Sequence, residues 1–335
     1  LSSATLGSGS ATTAGTFAYA TPTAVPNAGT YSASVVFTPS NTTIYNTVTF
    51  SIDVTVNKAT PTVTTTPTAS AITYGQTLAS SSLSGGSVSV AGSWDWQDST
   101  TAPSAGTASY TAVFTPTDAA NYNTVNRSIS VTTNKATPSI TATPTAAGIT
   151  YGQELGAATL SNGAADVAGT FAFADQASKP NAGTANHSVT FVPTDSANYN
   201  SVTGIQVSVT VAKATPTIAA TPTATSITYG QTIASATLSG GSATIPSSSG
   251  PVSVSGSFAF ATPTTAPNVG TASYEVIFSP TDSSNFNEVS GIEVSVTTNK
   301  ATPTVTATPT VAAMTYGDTL QNANLANGSA TVAGA

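Results

Sequence analysis

Hydrophobic and polar residues alternate along most of the chain, and a period of two predicts β-strands. Residues 48–56 place Val, Phe, Ile, Val and Val at every second position, and residues 31–37 alternate in the same way. The turn-rich segment between these runs, residues 38–46, predicts that they form a hairpin. No segment shows the 3.6-residue period of a helix. The pattern therefore predicts an all-β protein.

A third predicted strand carries two aromatic residues separated by one position. The pairs are Phe17 and Tyr19, Trp94 and Trp96, Phe171 and Phe173, and Phe258 and Phe260. Because residues i and i+2 of a strand share a face, both rings of a pair point to the same side. Each ring can bury roughly 150–250 Å². We expect these strands to supply a large share of a small core.

The chain repeats itself at a period of about 77 residues. The string Lys-Ala-Thr-Pro begins at Lys58, Lys135, Lys213 and Lys300, at spacings of 77, 78 and 87 residues. An aromatic residue followed by Asn recurs at Tyr45, Tyr122, Tyr199 and Phe286. A fixed period of this kind is the signature of a tandem-repeat architecture.

These landmarks divide the chain into five repeats. The boundaries are 1–57, without its first strand; 58–134; 135–212; 213–299, with a loop insertion near residues 245–254; and 300–335, the N-terminal part of a further repeat. Because both ends fall inside a repeat, we interpret the sequence as a stretch of a longer array or as an arbitrary cut. A further hypothesis is that residues 300–335 complete the first repeat of another subunit by donor-strand addition.

Short strands joined by Gly, Pro and Asn turns in units of this size predict tandem immunoglobulin-like β-sandwich repeats in an elongated array, with a small barrel as the alternative. In the third and fourth repeats, the alternation changes parity next to Gly204 and Gly291. One extra residue beside a glycine is typical of a β-bulge. We therefore expect a bulge at both glycines and none in the first two repeats.

Composition excludes several classes of function. Charged residues make up 6% of the chain, and the net charge is −7 with six Lys and Arg. This balance argues against nucleic-acid binding. There is no Cys for a disulfide or a thiolate metal site, and no run of 18 apolar residues that could span a membrane. We expect no cofactor, no metal and no catalytic residue.

The repeated strings resemble a known family. In the third repeat they are KATP at residues 135–138, YGQ at 151–153, NAGT at 181–184 and FVPTDSANYN at 191–200. Together they resemble the bacterial Ig-like tandem-repeat domains of large secreted surface proteins and adhesins, over the whole chain. The resemblance implies stalk modules displayed outside the cell, at the bacterial surface, and no catalysis.

Three candidate sites have a functional and a structural interpretation. The repeated Lys residues could form Lys–Asn isopeptide crosslinks, or could be edge charges that discourage strand pairing. Asp118, Asp195 and Asp282 could begin a calcium site, or could form Asx turns. The single histidine, His187, occupies a packing position, so we favour a structural role for it. In all three cases we favour the structural interpretation.

The sequence thus predicts a structural stalk or fibre-forming region of a secreted bacterial adhesin-type protein. Its predicted partners are neighbouring repeats or copies of itself, and any host, cell-surface or matrix ligand is unidentified. Two alternatives remain. One is an array of carbohydrate- or ice-binding modules, which exposed Trp94 and Trp96 would favour. The other is an accessory region of a larger extracellular enzyme.

Overall fold

In the computed structural model, the chain is almost entirely β, with 49% of residues in strands and 3% in helices. The structure describes residue 1, residues 3–247 and residues 250–331. Two residues of the predicted insertion and the last four of the fifth repeat therefore lie outside the described residues. The chain folds as two compact units, and the predicted all-β class is confirmed.

The first unit comprises Leu1–Pro138 together with Pro193–Ser201. Among its described residues it contains one short 3₁₀ helix, Leu78–Ser80. Its strands are β1 (Gly15–Tyr19), β2 (Gly29–Pro39), β3 (Val48–Val56), β4 (Val63–Thr65), β5 (Thr68–Ala69), β6 (Ile72–Thr73), β7 (Leu83–Ser84), β8 (Ser87–Val88), β9 (Gly92–Trp96), β10 (Gly106–Pro116) and β11 (Val125–Asn134).

The second unit comprises Ser139–Val192 and the chain from Val202 onward. Its 3₁₀ helices are Leu155–Ala157, Ile233–Ser235 and Leu320–Asn322. The strands that begin in it are β12 (Ile140–Ala142), β13 (Thr145–Ala146), β14 (Ile149–Thr150), β15 (Leu160–Ser161), β16 (Ala164–Ala165), β17 (Gly169–Phe173), β18 (Gly183–Pro193), β19 (Val202–Ala212), β20 (Thr217–Ala220), β21 (Thr223–Ala224), β22 (Ile227–Thr228), β23 (Leu238–Ser239), β24 (Ser242–Ile245), β25 (Val252–Val254), β26 (Gly256–Phe260), β27 (Gly270–Pro280), β28 (Val289–Asn299), β29 (Thr304–Ala307), β30 (Thr310–Val311), β31 (Leu325–Ala326) and β32 (Ser329–Thr331).

One sheet order recurs in the second, third and fourth repeats. In the second repeat, β9, β10 and β11 are antiparallel neighbours, and β6 adds to the edge of β11 in parallel. The resulting order β6-β11-β10-β9 reappears as β14-β19-β18-β17 and as β22-β28-β27-β26. The short strands that remain pair among themselves, as β4 with β8 and β5 with β7 in the second repeat.

The core of the second, third and fourth repeats lies between the long hairpin and these short strands. In the fourth repeat, Val276 and Phe278 of β27 cluster with Ala243 of β24 and Val254 of β25. In the third repeat, Val189 is fully buried and Leu155 of the 3₁₀ helix packs into the same cluster. This two-layer packing follows from the alternation in the sequence, because every second side chain of a strand reaches the same interior. The repeats are tandem immunoglobulin-like β-sandwiches.

The aromatic strand packs onto the buried phenylalanine of the neighbouring long strand. Ring centroids are 4.8 Å apart for Phe17 and Phe37, and 5.4 Å apart for Trp94 and Phe114. The same contact joins Phe171 to Phe191 and Phe258 to Phe278, each at 4.9 Å. Phe173 is buried, and the other paired rings are half-buried. These rings thus cover the edge of the core.

The ladder between the long strands is irregular in two repeats. Val189 pairs with Ile205, and Phe191 pairs with Val202. Two residues of β19, Thr203 and Gly204, therefore lie opposite the single residue of β18 between Val189 and Phe191. The same shift occurs beside Gly291 between β27 and β28. Gly204 has φ +76° and Gly291 has φ +74°, a backbone region that favours glycine. The β2–β3 and β10–β11 ladders are continuous, so the bulges lie at the positions given by the change of parity.

The first repeat, over its described residues, has the sheet β1-β2-β3 alone. Val48 is 55% exposed there, whereas its counterpart in the second repeat, Val125, is 8% exposed. In the fourth repeat the equivalent residue, Val289, packs against the cluster that contains Ala243 of β24 and Val254 of β25, so the short strands cover this position there.

Candidate functional site: the junction between repeats

The Lys-Ala-Thr-Pro string is fixed to the loop that joins the two long strands of its own repeat. In the second repeat, the Ala59 N–H donates to the Asn121 carbonyl at 2.9 Å, and the Asn123 N–H donates to the Ala59 carbonyl at 2.8 Å. The side-chain amide of Asn123 donates to Thr60 Oγ1 at 3.2 Å. Equivalent bridges join Ala136 to Tyr199 and Ala214 to Phe286. The connection between repeats is therefore anchored as soon as it enters the next repeat.

The lysines of these strings hold the same loop. Lys58 Nζ donates to the Ala119 carbonyl at 2.6 Å. Lys135 Nζ donates to the Ser196 carbonyl at 2.6 Å, and Lys213 Nζ donates to the Ser283 carbonyl at 2.7 Å. The group that an isopeptide bond would use thus donates to a main-chain carbonyl in all three repeats. For Lys300, the given sequence ends before the corresponding loop.

An asparagine of this loop reaches into the preceding repeat. Asn121 Oδ1 accepts a hydrogen bond from the Ala28 N–H at 2.8 Å. Asn198 does the same with Ala105 at 2.8 Å, and Asn285 with Ala182 at 2.8 Å. We call this contact, made by Asn121, Asn198 and Asn285, the asparagine clamp. Its three occurrences have the same atoms and the same length.

An aspartate sets the orientation of each clamp. Asp118 Oδ2 accepts from the Asn121 amide Nδ2 at 2.8 Å, which leaves Oδ1 directed at the preceding repeat. Asp195 and Asp282 hold Asn198 and Asn285 in the same way, each at 2.8 Å. The hydrogen bond from the Asn121 side chain lowers the pKa of Asp118, opposed by a smaller effect of desolvation. The carboxylate therefore acts as a positioning group.

This use of the aspartates favours the Asx-turn interpretation over a calcium site. Asp118 Oδ1 accepts from the Asn121 N–H at 3.2 Å, so the carboxylate bonds within its own loop. Calcium takes six to eight oxygen ligands, usually with several carboxylates. Among the residues that the structure describes, no group of three His, Asp or Glu side chains could hold a metal ion.

Two of the junctions also contain a pair of aromatic rings. Tyr74 of the second repeat packs edge-on against Tyr199 of the third, with centroids 5.2 Å apart at 81°. Tyr151 and Phe286 do the same between the third and fourth repeats, at 5.2 Å and 86°. In the first repeat, Tyr45 is 50% exposed. The two residues of the aromatic-Asn pair therefore have different roles at these junctions. The aromatic ring packs against the preceding repeat, and the Asn side chain holds the Lys-Ala-Thr-Pro string of its own repeat.

Sequence reasoning found the aromatic residues and lysines but missed the clamp. Asn121, Asn198 and Asn285 each precede the aromatic residue by one position. The sequence does contain one indication of the clamp, because an Asn recurs directly before the aromatic residue of the predicted turn in three repeats. That recurrence does not reveal that its partner is a backbone N–H in another repeat.

The remaining candidates are packing residues. Trp94 packs on Phe114, and Trp96 packs against the cluster of Ile72, Leu78 and Val131. Trp96 Nε1 also donates to the Ser81 carbonyl at 2.8 Å. The two half-buried indoles therefore form no exposed platform of the kind that the carbohydrate alternative needs at this strand. His187 lies opposite Val207 in the sheet, with its Nε2 buried.

Comparison with known proteins assigns no family to this chain. No protein-family model matches this chain, and no curated protein matches it. Similar solved structures include Drosophila N-cadherin EC1-4, at 11% identity over 81% of this chain and 83% of that one, with a TM-score of 0.26. They also include Sidekick-1 immunoglobulin domains 1-5 (12%, 81% and 67%, TM-score 0.24) and the I9-I11 tandem from titin (10%, 72% and 100%, TM-score 0.26).

The class of protein therefore rests on the chain's own sheets and junctions. It is a tandem array of immunoglobulin-like β-sandwiches. Within the described ranges, no helix is both long enough and apolar enough to cross a bilayer.

Proposed function

We propose that this chain is a structural spacer, a stalk or fibre-forming repeat region of a secreted bacterial cell-surface protein of the adhesin type. The observation that carries this proposal is the asparagine clamp, which joins successive repeats through the same 2.8 Å contact at three junctions. A contact that recurs in the same form at successive junctions lets an array be lengthened without redesign, since each repeat contacts its neighbours alone.

The connection between repeats is also restrained by its sequence. Proline fixes its own φ and biases the residue before it toward extended geometry, and each Lys-Ala-Thr-Pro string contains one. The hydrogen bonds of Ala59 and Lys58 hold the same segment against the folded loop. Such a connection transmits force and orientation better than a Gly/Ser linker, which behaves as a flexible coil.

The extracellular location and the absence of catalysis belong to the same proposal. The resemblance of the repeated strings to surface-protein repeats supports display outside a bacterial cell. The residue pattern argues against catalysis, because the single His cannot take part in a triad that recurs in every repeat. The partners of this function are neighbouring repeats and copies of the chain.

Single-molecule force spectroscopy of the full chain, tethered at both ends, tests the spacer function. We expect the second, third and fourth repeats, of 77, 78 and 87 residues, to unfold in separate steps that add about 27–30 nm of extended chain each, at roughly 3.5 Å per residue. Phe278→Ala should lower the unfolding force of one step and leave the others unchanged, because repeats unfold separately. A single cooperative release of the whole chain, or smooth extension without steps, would contradict the proposal.

A further inference from the structure

The junction between the third and fourth repeats departs from the common pattern in two independent ways. The fourth repeat contains nine extra residues, since its spacing is 87 where the preceding spacing is 78. The third repeat carries Glu154 and Lys179 where the second has Thr77 and Ala102. In a chain with six Lys and Arg, Lys179 and Arg127 are the two that lie outside the Lys-Ala-Thr-Pro strings.

Both departures line one cleft of about 670 Å³ in the second unit. Glu154 and Lys179 line it together with Tyr151 of the third repeat, and Ile245 and Pro246 line it from the insertion. A β-carbon on Gly152 would lie 3.5 Å from Ile245 Cδ1, so the insertion reaches over the Tyr-Gly turn of the third repeat. This volume lies within the range of about 300–1,000 Å³ typical of small-molecule sites.

The two charged side chains suit an uncharged, hydroxyl-rich ligand. Lys179 Nζ and Glu154 Oε1 are 4.0 Å apart, beyond direct hydrogen-bond distance, and the side chains are 52% and 56% exposed. The ammonium can donate to one hydroxyl oxygen of a ligand while the carboxylate accepts from a neighbouring hydroxyl. Because the two charges cancel, the pair gives no net attraction for anions or cations.

The rest of the lining has the same mixed character. Gln153 and Thr215 line the cleft with an amide whose Oε1 accepts from the Thr150 N–H and a hydroxyl that accepts from Asn287 Nδ2, which leaves the Gln153 Nε2 and the Thr215 hydroxyl hydrogen as donors, while Ile245, Pro246 and Tyr151 add apolar surface. A sugar ring presents both hydroxyl edges and apolar C–H faces. We propose that this cleft binds a short uncharged oligosaccharide, with Glu154 and Lys179 contacting adjacent hydroxyls. The site is distinct from the half-buried Trp94 and Trp96, and it does not depend on the spacer function.

Titration calorimetry of the full chain against a panel of neutral oligosaccharides tests the proposal. The panel comprises cello-, malto-, xylo- and mannohexaose and chitohexaose, with a heparin hexasaccharide and hexagalacturonate as charged probes. We expect at least one neutral oligosaccharide to bind, and the charged probes to bind more weakly. No binding of any neutral oligosaccharide at millimolar concentration would overturn the proposal, as would a preference for either charged probe.

Two variants assign the binding to the cleft. The double variant Glu154→Thr and Lys179→Ala restores the residues that the second repeat carries, so we expect it to fold. It should bind about tenfold more weakly or worse, since it loses charge-assisted hydrogen bonds. Deletion of residues 244–252 shortens the loop to the length found in the second repeat and should abolish binding. Undiminished binding by either variant, with unchanged circular dichroism, would contradict the assignment.

Discussion

The interior of a repeat and the junction between repeats are built from different interactions. In the third repeat, Val189, Phe191 and Val209 are almost fully buried and pack against other apolar side chains. The contact common to all three described junctions is instead a hydrogen bond, such as that of Asn198 with the Ala105 N–H, and two of the junctions add one pair of aromatic rings. Apolar burial is non-directional, whereas a hydrogen bond requires a defined distance and angle. The interior therefore supplies stability, and the junction supplies orientation.

The largest effect should come from the interior. Phe191→Ala removes a ring that is 1% exposed and should lower the free energy of unfolding of the third repeat by about 3–5 kcal/mol. Val192→Ala, on the adjacent residue at 42% exposure, is the control and should have little effect. Denaturant unfolding of the full chain measures both. Equal effects for the two variants would contradict the division between interior and surface.

A smaller loss of stability should follow from a substitution that crowds the ring of Phe191. A β-carbon on Gly169 would lie 2.4 Å from Phe191 Cζ and 2.5 Å from the Val192 carbonyl oxygen. Gly169→Ala should therefore destabilise the third repeat by roughly 1–3 kcal/mol. Gly7→Ala, where no atom lies within 4 Å, is the matched control. Thermal unfolding should separate the two variants, and a neutral Gly169→Ala would show that the approach is not tight.

The clamp should contribute less to stability and more to local order. Asn198→Ala leaves the part-buried Ala105 N–H without its acceptor and should cost roughly 1–2 kcal/mol. Hydrogen exchange of the Ala105 amide should become about tenfold faster or more. Asn186→Ala, at an exposed position of β18, is the control. Unchanged protection of Ala105 would mean that the clamp does not order the junction.

The smallest effect should be a loss of the clamp in acid. The pKa of Asp118 is lowered from its ordinary value of 3.8, chiefly by the hydrogen bond from Asn121, so the carboxylate stabilises the junction at pH values above 3.8. That contribution should disappear as the pH falls below 3.8 through the lowered pKa. NMR of the Asn121 side-chain amide should follow it, and Asp118→Asn should remove the transition. A shift of the Asn121 signal confined to pH values above about 5, well above the ordinary carboxyl range, would contradict the assignment.

Sequence predicted the features that depend on neighbours along the chain. Alternation places Phe191 and Val189 in the core, and a change of parity marks the bulge at Gly204. It could not predict that Gly169 lies against Phe191, because this close approach depends on how two strands pair. The clamp was missed for a similar reason, since Asn198 and Ala105 are 93 residues apart in the sequence.

The most direct test of an ordered junction is to measure the distribution of distances between two spin labels, one on each of the two repeats that the junction joins. The chain has no Cys, so Asn186→Cys on β18 and Ser273→Cys on β27 can carry spin labels on either side of the junction between the third and fourth repeats. Pulsed electron paramagnetic resonance should give one narrow distribution, and adding Asn285→Ala should broaden it. A broad distribution with Asn285 intact, or a narrow one that Asn285→Ala leaves unchanged, would contradict the account.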